Sequence, residues 1–184
     1  MLDILALGEA MVEFNQTGAA YGRLYLQGFG GDTSNFAVAA ARQGARAGYV
    51  SALGDDVYGA MLRAIWREEG VDDSGVRSDA DAFTAVYFVT HDAAGHHFSF
   101  FRRGSAASRL GAAQLPQAQI AAARVLHLSG ISMAISEAAR EACSRAFWLN
   151  QVFELSANVG LAIAPNDGTT RGVLRHRADL ALRA

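Results

Sequence analysis

Two adjacent glycines, Gly30 and Gly31, head an alanine-rich stretch, and this junction constrains the fold more than any other feature of the chain. Ahead of it the β-prone segment Arg23–Gln27 runs into Gly28-Phe29-Gly30-Gly31. Behind it a helix is expected from about Ser34 to Gln43, stopped by Gly44. The small residues Ala37, Ala39, Ala40 and Ala41 suit close packing of that helix on a sheet. A buried strand, Ala47–Leu53, follows, and Asp55 or Asp56 is placed to cap a second helix, Val57–Glu69. Val57, Tyr58, Met61, Leu62, Ile65 and Trp66 share its apolar face, and Gly70 with Val71 gives it a Schellman-type end.

The alternation continues downstream. Asp3–Leu7 reads as a first strand and Met11–Phe14 as another. Pro116 opens a helix to about Arg124, Arg124–Leu128 is a strand, and Ser136 caps a helix over Glu137–Phe147. Strands separated by helices imply an α/β fold with a doubly wound, mostly parallel sheet. One pair breaks the pattern. Ala82–Thr90 and His97–Arg103 are β-rich runs joined by His91–His96, which predicts a hairpin with a loop somewhat longer than two residues. It is best placed as a β-flap projecting from the sheet edge. Past Trp148 the signals weaken to a strand at Val152–Leu155, a turn at Asn166-Asp167-Gly168 and a helix over Arg171–Ala184.

Composition removes several classes of function. Sixteen basic and eighteen acidic residues leave a formal charge of −2, which gives no electrostatic footprint for nucleic acid or an acidic membrane. No apolar run approaches the ~20 residues needed to cross a bilayer. Met1–Gly8 lacks a basic leader region and carries Asp3, so it reads as a strand and not a signal peptide. The single cysteine, Cys143, has no internal partner and reads as a buried helix residue, which fits a reducing cytoplasm. Every basic residue is arginine. Without lysine the chain can hold neither a Walker A loop nor a Schiff base.

At Gly30-Gly31-Asp32-Thr33-Ser34-Asn35 two glycines let backbone N–H groups approach a ligand, and the helix start behind them favours negative charge. A sugar acid suits such a place; an ordinary strand-to-helix turn suits the same residues. A dinucleotide fingerprint from Gly28 fails, because Thr33 stands where its third glycine belongs. His91, His96 and His97 cluster without a cysteine or paired carboxylate and read as solvated turn residues, while His127 reads as a hydrogen-bonded core residue. No G-x-S-x-G elbow supports a Ser–His–Asp hydrolase.

The stretch Gly30–Gly54, with Gly-Gly-x-x-x-Asn, a small-residue helix and spaced downstream glycines, resembles the first signature of the ribokinase (phosphofructokinase-B) carbohydrate kinases. More narrowly, Ala6–Phe14, Phe100–Ser108 and His127–Ser132 resemble 2-keto-3-deoxygluconate kinases, specifically to about residue 147 and faintly beyond. The resemblance implies a ribokinase-like fold over 1–184, with a small β-sheet lid from about 10–30 and 82–104. It implies substrate contacts at Gly30, Gly31, Tyr87 and Arg102, with Asn35 bracing the glycine loop. Arginine suits a carboxylate because it can bond both oxygens. Read without the resemblance, Tyr87 is a core residue, and Arg102 and Arg103 form a solvated surface pair. The family's ATP and Mg2+ are the implied co-substrate and metal. Lid pairing, for which exposed Phe98, Phe100 and Phe101 are suitable, implies a homodimer.

The departures carry equal weight. Phe100 stands where such kinases often place a second tyrosine, and in Ser156-Ala157-Asn158-Val159-Gly160 the two charged members of an Asp-x-Asn-x-Arg segment are replaced. Weak substrate binding is therefore expected. The family's Gly-x-Gly-Asp, whose aspartate takes the proton from the attacking sugar hydroxyl, does not occur in the 184 residues. The expectation is a sugar-binding part of a kinase that lacks the C-terminal ATP-binding part and transfers no phosphate. The alternatives are a decayed, non-catalytic remnant and a lid-mediated dimerisation module.

Overall fold

All eight residues of Ala47–Gly54 are buried, as a strand must be when helices cover both faces of its sheet. A computed structural model describes residues 1–18 and 22–150; the elements expected at 152–155, 166–168 and 171–184, and the 156–160 segment, lie outside the described residues. The order is β1 (Ile4–Leu7), β2 (Met11–Gln16), β3 (Tyr25–Gly30), α1 (Asp32–Arg42), β4 (Ala47–Gly54), α2 (Val57–Glu68), β5 (Asp72–Asp79), β6 (Val86–Asp92), β7 (Gly95–Phe101), α3 (Ala106–Arg109), α4 (Gln117–Ala122), β8 (Val125–His127), α5 (Gly130–Met133) and α6 (Glu137–Leu149).

The main sheet runs β5-β4-β1-β8 and is parallel throughout. Ala6, Ala47, Tyr49 and Leu53 face α1 and α2 through Ala37, Val38, Leu62 and Trp66. On the other side Leu5, Leu7, Val50 and Ala52 meet α3, α4 and α6 through Ala106, Ile120, Ala142, Cys143 and Ala146. Helices thus cover both faces, the doubly wound arrangement expected. Trp66 is fully buried, and its indole N–H donates to Ser34 Oγ at 2.9 Å, so this large apolar side chain is enclosed without an unmet donor. Caps bound the helices as anticipated: Asp56 Oδ1 accepts from Gly59 N at 2.8 Å, and Ser136 Oγ from Ala139 N at 3.0 Å. The Val71 N–H reaches Trp66 O at 2.7 Å around Gly70, whose φ is +73°, completing the Schellman end.

Several expectations are corrected. The flap expected at the sheet edge is part of the small second sheet that the resemblance implied. It joins β2 and β3 in a second sheet of order β3-β2-β6-β7, in which β2 and β6 are parallel and the outer pairs antiparallel. Its loop is shorter than expected, because Asp92 pairs with Gly95 and leaves only Ala93 and Ala94 between them. Gly95 supplies the positive φ of +125° that so tight a reversal needs. Gly28 and Gly30 belong to β3, so only Gly31 makes the turn. Val57 is 77% exposed, since the first residue of α2 lies beyond the reach of the core. An unanticipated edge strand, β5, has polar residues outward and buries Gly75 and Val76.

Candidate functional site

Beyond the carboxyl end of β1 the chain turns through Gly8-Glu9-Ala10 into β2, leaving the main sheet for the second one. The neighbours of β1 are β4 on one side and β8 on the other, so strand order reverses here, the position at which open α/β sheets receive ligands. Gly8 is the point of convergence: a Cβ there would overlap both Thr33 Oγ1 at the start of α1 and Ser132 Oγ in α5. Thr33 and Ser34, fully buried, pin the start of α1, Thr33 Oγ1 through a 2.9 Å bond with the Tyr49 hydroxyl and Ser34 through Trp66. These two anchors, not singled out from the sequence, hold the glycine turn in place.

Gly31 is the residue before α1, at φ +110° and ψ 121°. A side chain is excluded twice over, by the positive φ and by contact. A Cβ would overlap the Glu9 carbonyl oxygen and lie 3.0 Å from Ala10 Cα. Gly30 ends β3 opposite Met11, and a Cβ there would overlap the Tyr87 hydroxyl and lie 3.0 Å from its Cε1. Both glycines are thus required by close approach, Gly31 to Glu9 and Gly30 to Tyr87.

Tyr87, in β6, donates its hydroxyl to Glu13 Oε2 across the second sheet. Burial, then this bond and the nearby Glu13 charge, push the phenol well above its ordinary range, so it stays a hydrogen-bond donor. Its ring stacks on Phe100 at 5.7 Å, and the Arg102 guanidinium carbon lies 5.9 Å from the Phe100 centroid, within cation–π reach. Phe98 and Phe100 are exposed on the face of β7 that carries Tyr87, and Phe101 is exposed on the opposite face beside Phe88.

Arg102 closes the circuit. Its Nη2 lies 2.6 Å from Glu9 Oε2, and the Glu9 side chain is only 2% exposed. The contact is poorly aligned, and among the described residues Glu9 Oε2 and Arg102 Nε are both buried without a hydrogen-bond partner. The second Glu9 oxygen accepts from Ser105 Oγ at 3.2 Å. Burial raises the Glu9 pKa, only partly opposed by the Arg102 charge and the bond from Ser105. Reading Arg102 and Arg103 as a solvated pair is therefore corrected for Arg102, which is mostly enclosed by Glu9 and Phe100.

Of the six residues singled out in the sequence, Gly30, Gly31, Tyr87, Phe100 and Arg102 form one contiguous set, closed by Glu9. Asn35 does not join it. Asn35 is exposed, its backbone N–H bonds Gly31 O at 2.8 Å, and among the described residues its side chain makes no hydrogen bond to brace the loop. The expectation for His127 is also corrected: the ring is half-buried and stacks on Phe36 at 3.7 Å without a hydrogen bond among the described residues. Glu9 was missed as a site residue. The one available signal was a carboxylate directly after an apolar strand and a glycine.

Comparison with known proteins places this constellation in context. The family described as pfkB family carbohydrate kinase matches residues 1–161. Fructokinase-1 of Oryza sativa subsp. japonica is 42% identical over 148 residues, 78% of this chain and 46% of that protein. The 2-dehydro-3-deoxygluconokinase of Thermoproteus tenax is 30% identical over 182 residues, 93% of this chain and 54% of that protein. The chain thus spans about half the length of these curated relatives. Among solved structures, a PfkB protein from Polaromonas sp. JS666 superposes with a TM-score of 0.80 at 28% identity, covering 98% of this chain and 63% of that one. A fructokinase from Xylella fastidiosa with bound ATP gives 0.72 at 30% identity, covering 81% and 47%.

Proposed function

The chain belongs to the pfkB family of carbohydrate kinases, and on that premise we propose that its ribokinase-like domain supplies the sugar-binding part of a kinase acting on a sugar acid such as 2-keto-3-deoxygluconate. The observation that carries this reading is the meeting of Gly31 and Arg102 at Glu9, which places a glycine turn and a cation beside one another at the carboxyl end of β1. In this reading the Gly30-Gly31 backbone and Tyr87 receive hydroxyls, Phe100 provides an apolar wall, and Arg102 bonds the carboxylate. The second sheet acts as the lid.

MgATP would supply the phosphoryl group. Support comes from the family and from the ATP-bound fructokinase of similar fold. Among the described residues no three His, Cys, Asp or Glu side chains gather into a metal site, and no step of the transfer is assigned to them. The chain contains no Gly-x-Gly-Asp, so these 184 residues bind sugar without transferring phosphate.

A second reading is a neutral ketohexose such as fructose. Fructokinases match the chain as well as 2-dehydro-3-deoxygluconokinases do, and Glu9 already balances the Arg102 charge that would draw a carboxylate. Calorimetric titration with 2-keto-3-deoxygluconate, fructose and ribose decides between them. Saturable binding of the acid, weakened about ten- to a hundredfold in Arg102→Ala, is expected. Preference for fructose would favour the second reading, and binding of none of the three would remove both. A coupled ADP-release assay is expected to be silent, and turnover would overturn the role given to the missing motif.

A further inference from the structure

We propose that Glu9 is a positioning residue: its buried carboxylate holds the Arg102 guanidinium beside the Phe100 ring so that the remaining donors stay free for a ligand at Gly31. This rests on the sugar-binding reading above but adds a residue and a mechanism to it. Glu9 touches both halves of the constellation. Its carbonyl oxygen fills the space a Gly31 side chain would take, and its carboxylate meets Arg102.

Burying a carboxylate is costly, and an apolar side chain of similar volume would usually serve the packing as well or better. Glu9 is nevertheless 2% exposed, with one Ser105 hydroxyl and the guanidinium as its polar neighbours. The pairing is also unfinished. Among the described residues Glu9 Oε2 and Arg102 Nε stay unsatisfied, whereas most buried polar atoms in folded proteins are partnered. A small rotation of the guanidinium would align the pair. An acceptor arriving at the outer edge of Arg102 would favour that rotation, so ligand binding and completion of the buried contact reinforce one another. Ser105, the N-cap of α3, fixes the other Glu9 oxygen and sets the direction from which Glu9 holds the arginine.

The test uses Glu9→Gln, which keeps the shape and removes the charge, together with Arg102→Ala and the double variant. With 2-keto-3-deoxygluconate and fructose as probes, Glu9→Gln is expected to weaken binding by about tenfold in the wild-type background and by less than about twofold in Arg102→Ala. Equal losses in both backgrounds would show that Glu9 acts independently of Arg102 and would overturn the proposal. A second readout needs no ligand. The Arg102 Nε–H resonance, assigned by its disappearance in Arg102→Ala, is expected to exchange slowly with solvent in the wild type and at least about tenfold faster in Glu9→Gln. If neither sugar binds the wild type, the functional reading fails while this exchange measurement still decides the positioning role. An unchanged Nε–H in Glu9→Gln overturns it.

Discussion

The Glu9 carbonyl oxygen occupies the space where a side chain on Gly31 would begin. Gly31 also sits at φ +110°, so two separate costs attach to any substitution there. Gly44 offers a control: its φ is +88°, but nothing lies within 4 Å of the position a Cβ would take. Gly44→Ala is expected to cost backbone strain alone, on the order of 1–2 kcal/mol. Gly31→Ala is expected to cost more and to abolish sugar binding, because Glu9 and the Arg102 contact must shift with it. Urea unfolding of the two variants checks this, and equal losses would show that the Glu9 contact contributes nothing.

Phe100 packs against both Tyr87 and Phe98, with ring centroids 5.7 and 6.2 Å away, and is half exposed. Adding a hydroxyl to it disturbs no packed neighbour, so Phe100→Tyr is expected to leave stability within about 0.5 kcal/mol. If the ring walls the sugar site, the new hydroxyl adds one hydrogen bond and tightens binding by about two- to tenfold in calorimetry. Unchanged affinity for both the acid and fructose would place Phe100 outside the site.

Much of this architecture was legible because local chemistry and tertiary position agree. The β4 run is apolar apart from Ser51, Asp56 and Ser136 stand one residue before their helices, and Gly44 and Gly70 end theirs. The β5 strand was illegible for the opposite reason. Asp-Asp-Ser-Gly-Val-Arg-Ser-Asp has neither alternation nor β propensity, and it is held by its register on β4 and by Asp73 accepting from Arg63 and Arg67. At the site, the glycines were legible from their own chemistry and Tyr87, Phe100 and Arg102 through resemblance, whereas Glu9 gains its meaning only from a contact with an arginine far along the chain. Asn35 shows the converse: a conspicuous motif residue that is exposed and, among the described residues, makes no side-chain hydrogen bond to the constellation.

Cys143 lies at 1% exposure among Leu5, Ile120 and Ala142, and burial pushes its thiol up to about 11. At pH 8 only ~0.1% of such a thiol is thiolate, and access is blocked as well. A thiol-reactive chromogenic disulfide is therefore expected to label the native chain slowly and the urea-unfolded chain at once. Rapid native labelling would show that the α6 face of the core opens readily. It would also count against the packing of Cys143 with Ile120 on that face.

Asp56 and Glu9 are expected to pull the pH dependence of stability in opposite directions. Burial alone would raise the Asp56 pKa, but donation from Thr84 N at 2.8 Å and Gly59 N at 2.8 Å outweighs it, and the pKa is lowered. A lowered folded-state pKa gives stability that is present above the unfolded carboxylate value near ~4 and lost as pH falls through the folded one. For Glu9 the folded pKa is raised, chiefly by burial, so the folded state holds its proton longer than the unfolded chain. Its contribution therefore becomes less favourable as pH rises from the unfolded value near ~4.3 through the folded one. Between pH 4 and 7 the wild type should lose stability relative to Glu9→Gln as pH rises. Below pH 4 it should lose stability relative to Asp56→Asn as pH falls, since asparagine still caps α2 but carries no charge to lose. Urea midpoints across pH 3–7 for the three proteins check both slopes. Parallel curves for wild type and Glu9→Gln would mean that Glu9 is not held in a desolvated, incompletely paired state, and the physical premise of its role at Arg102 would be lost.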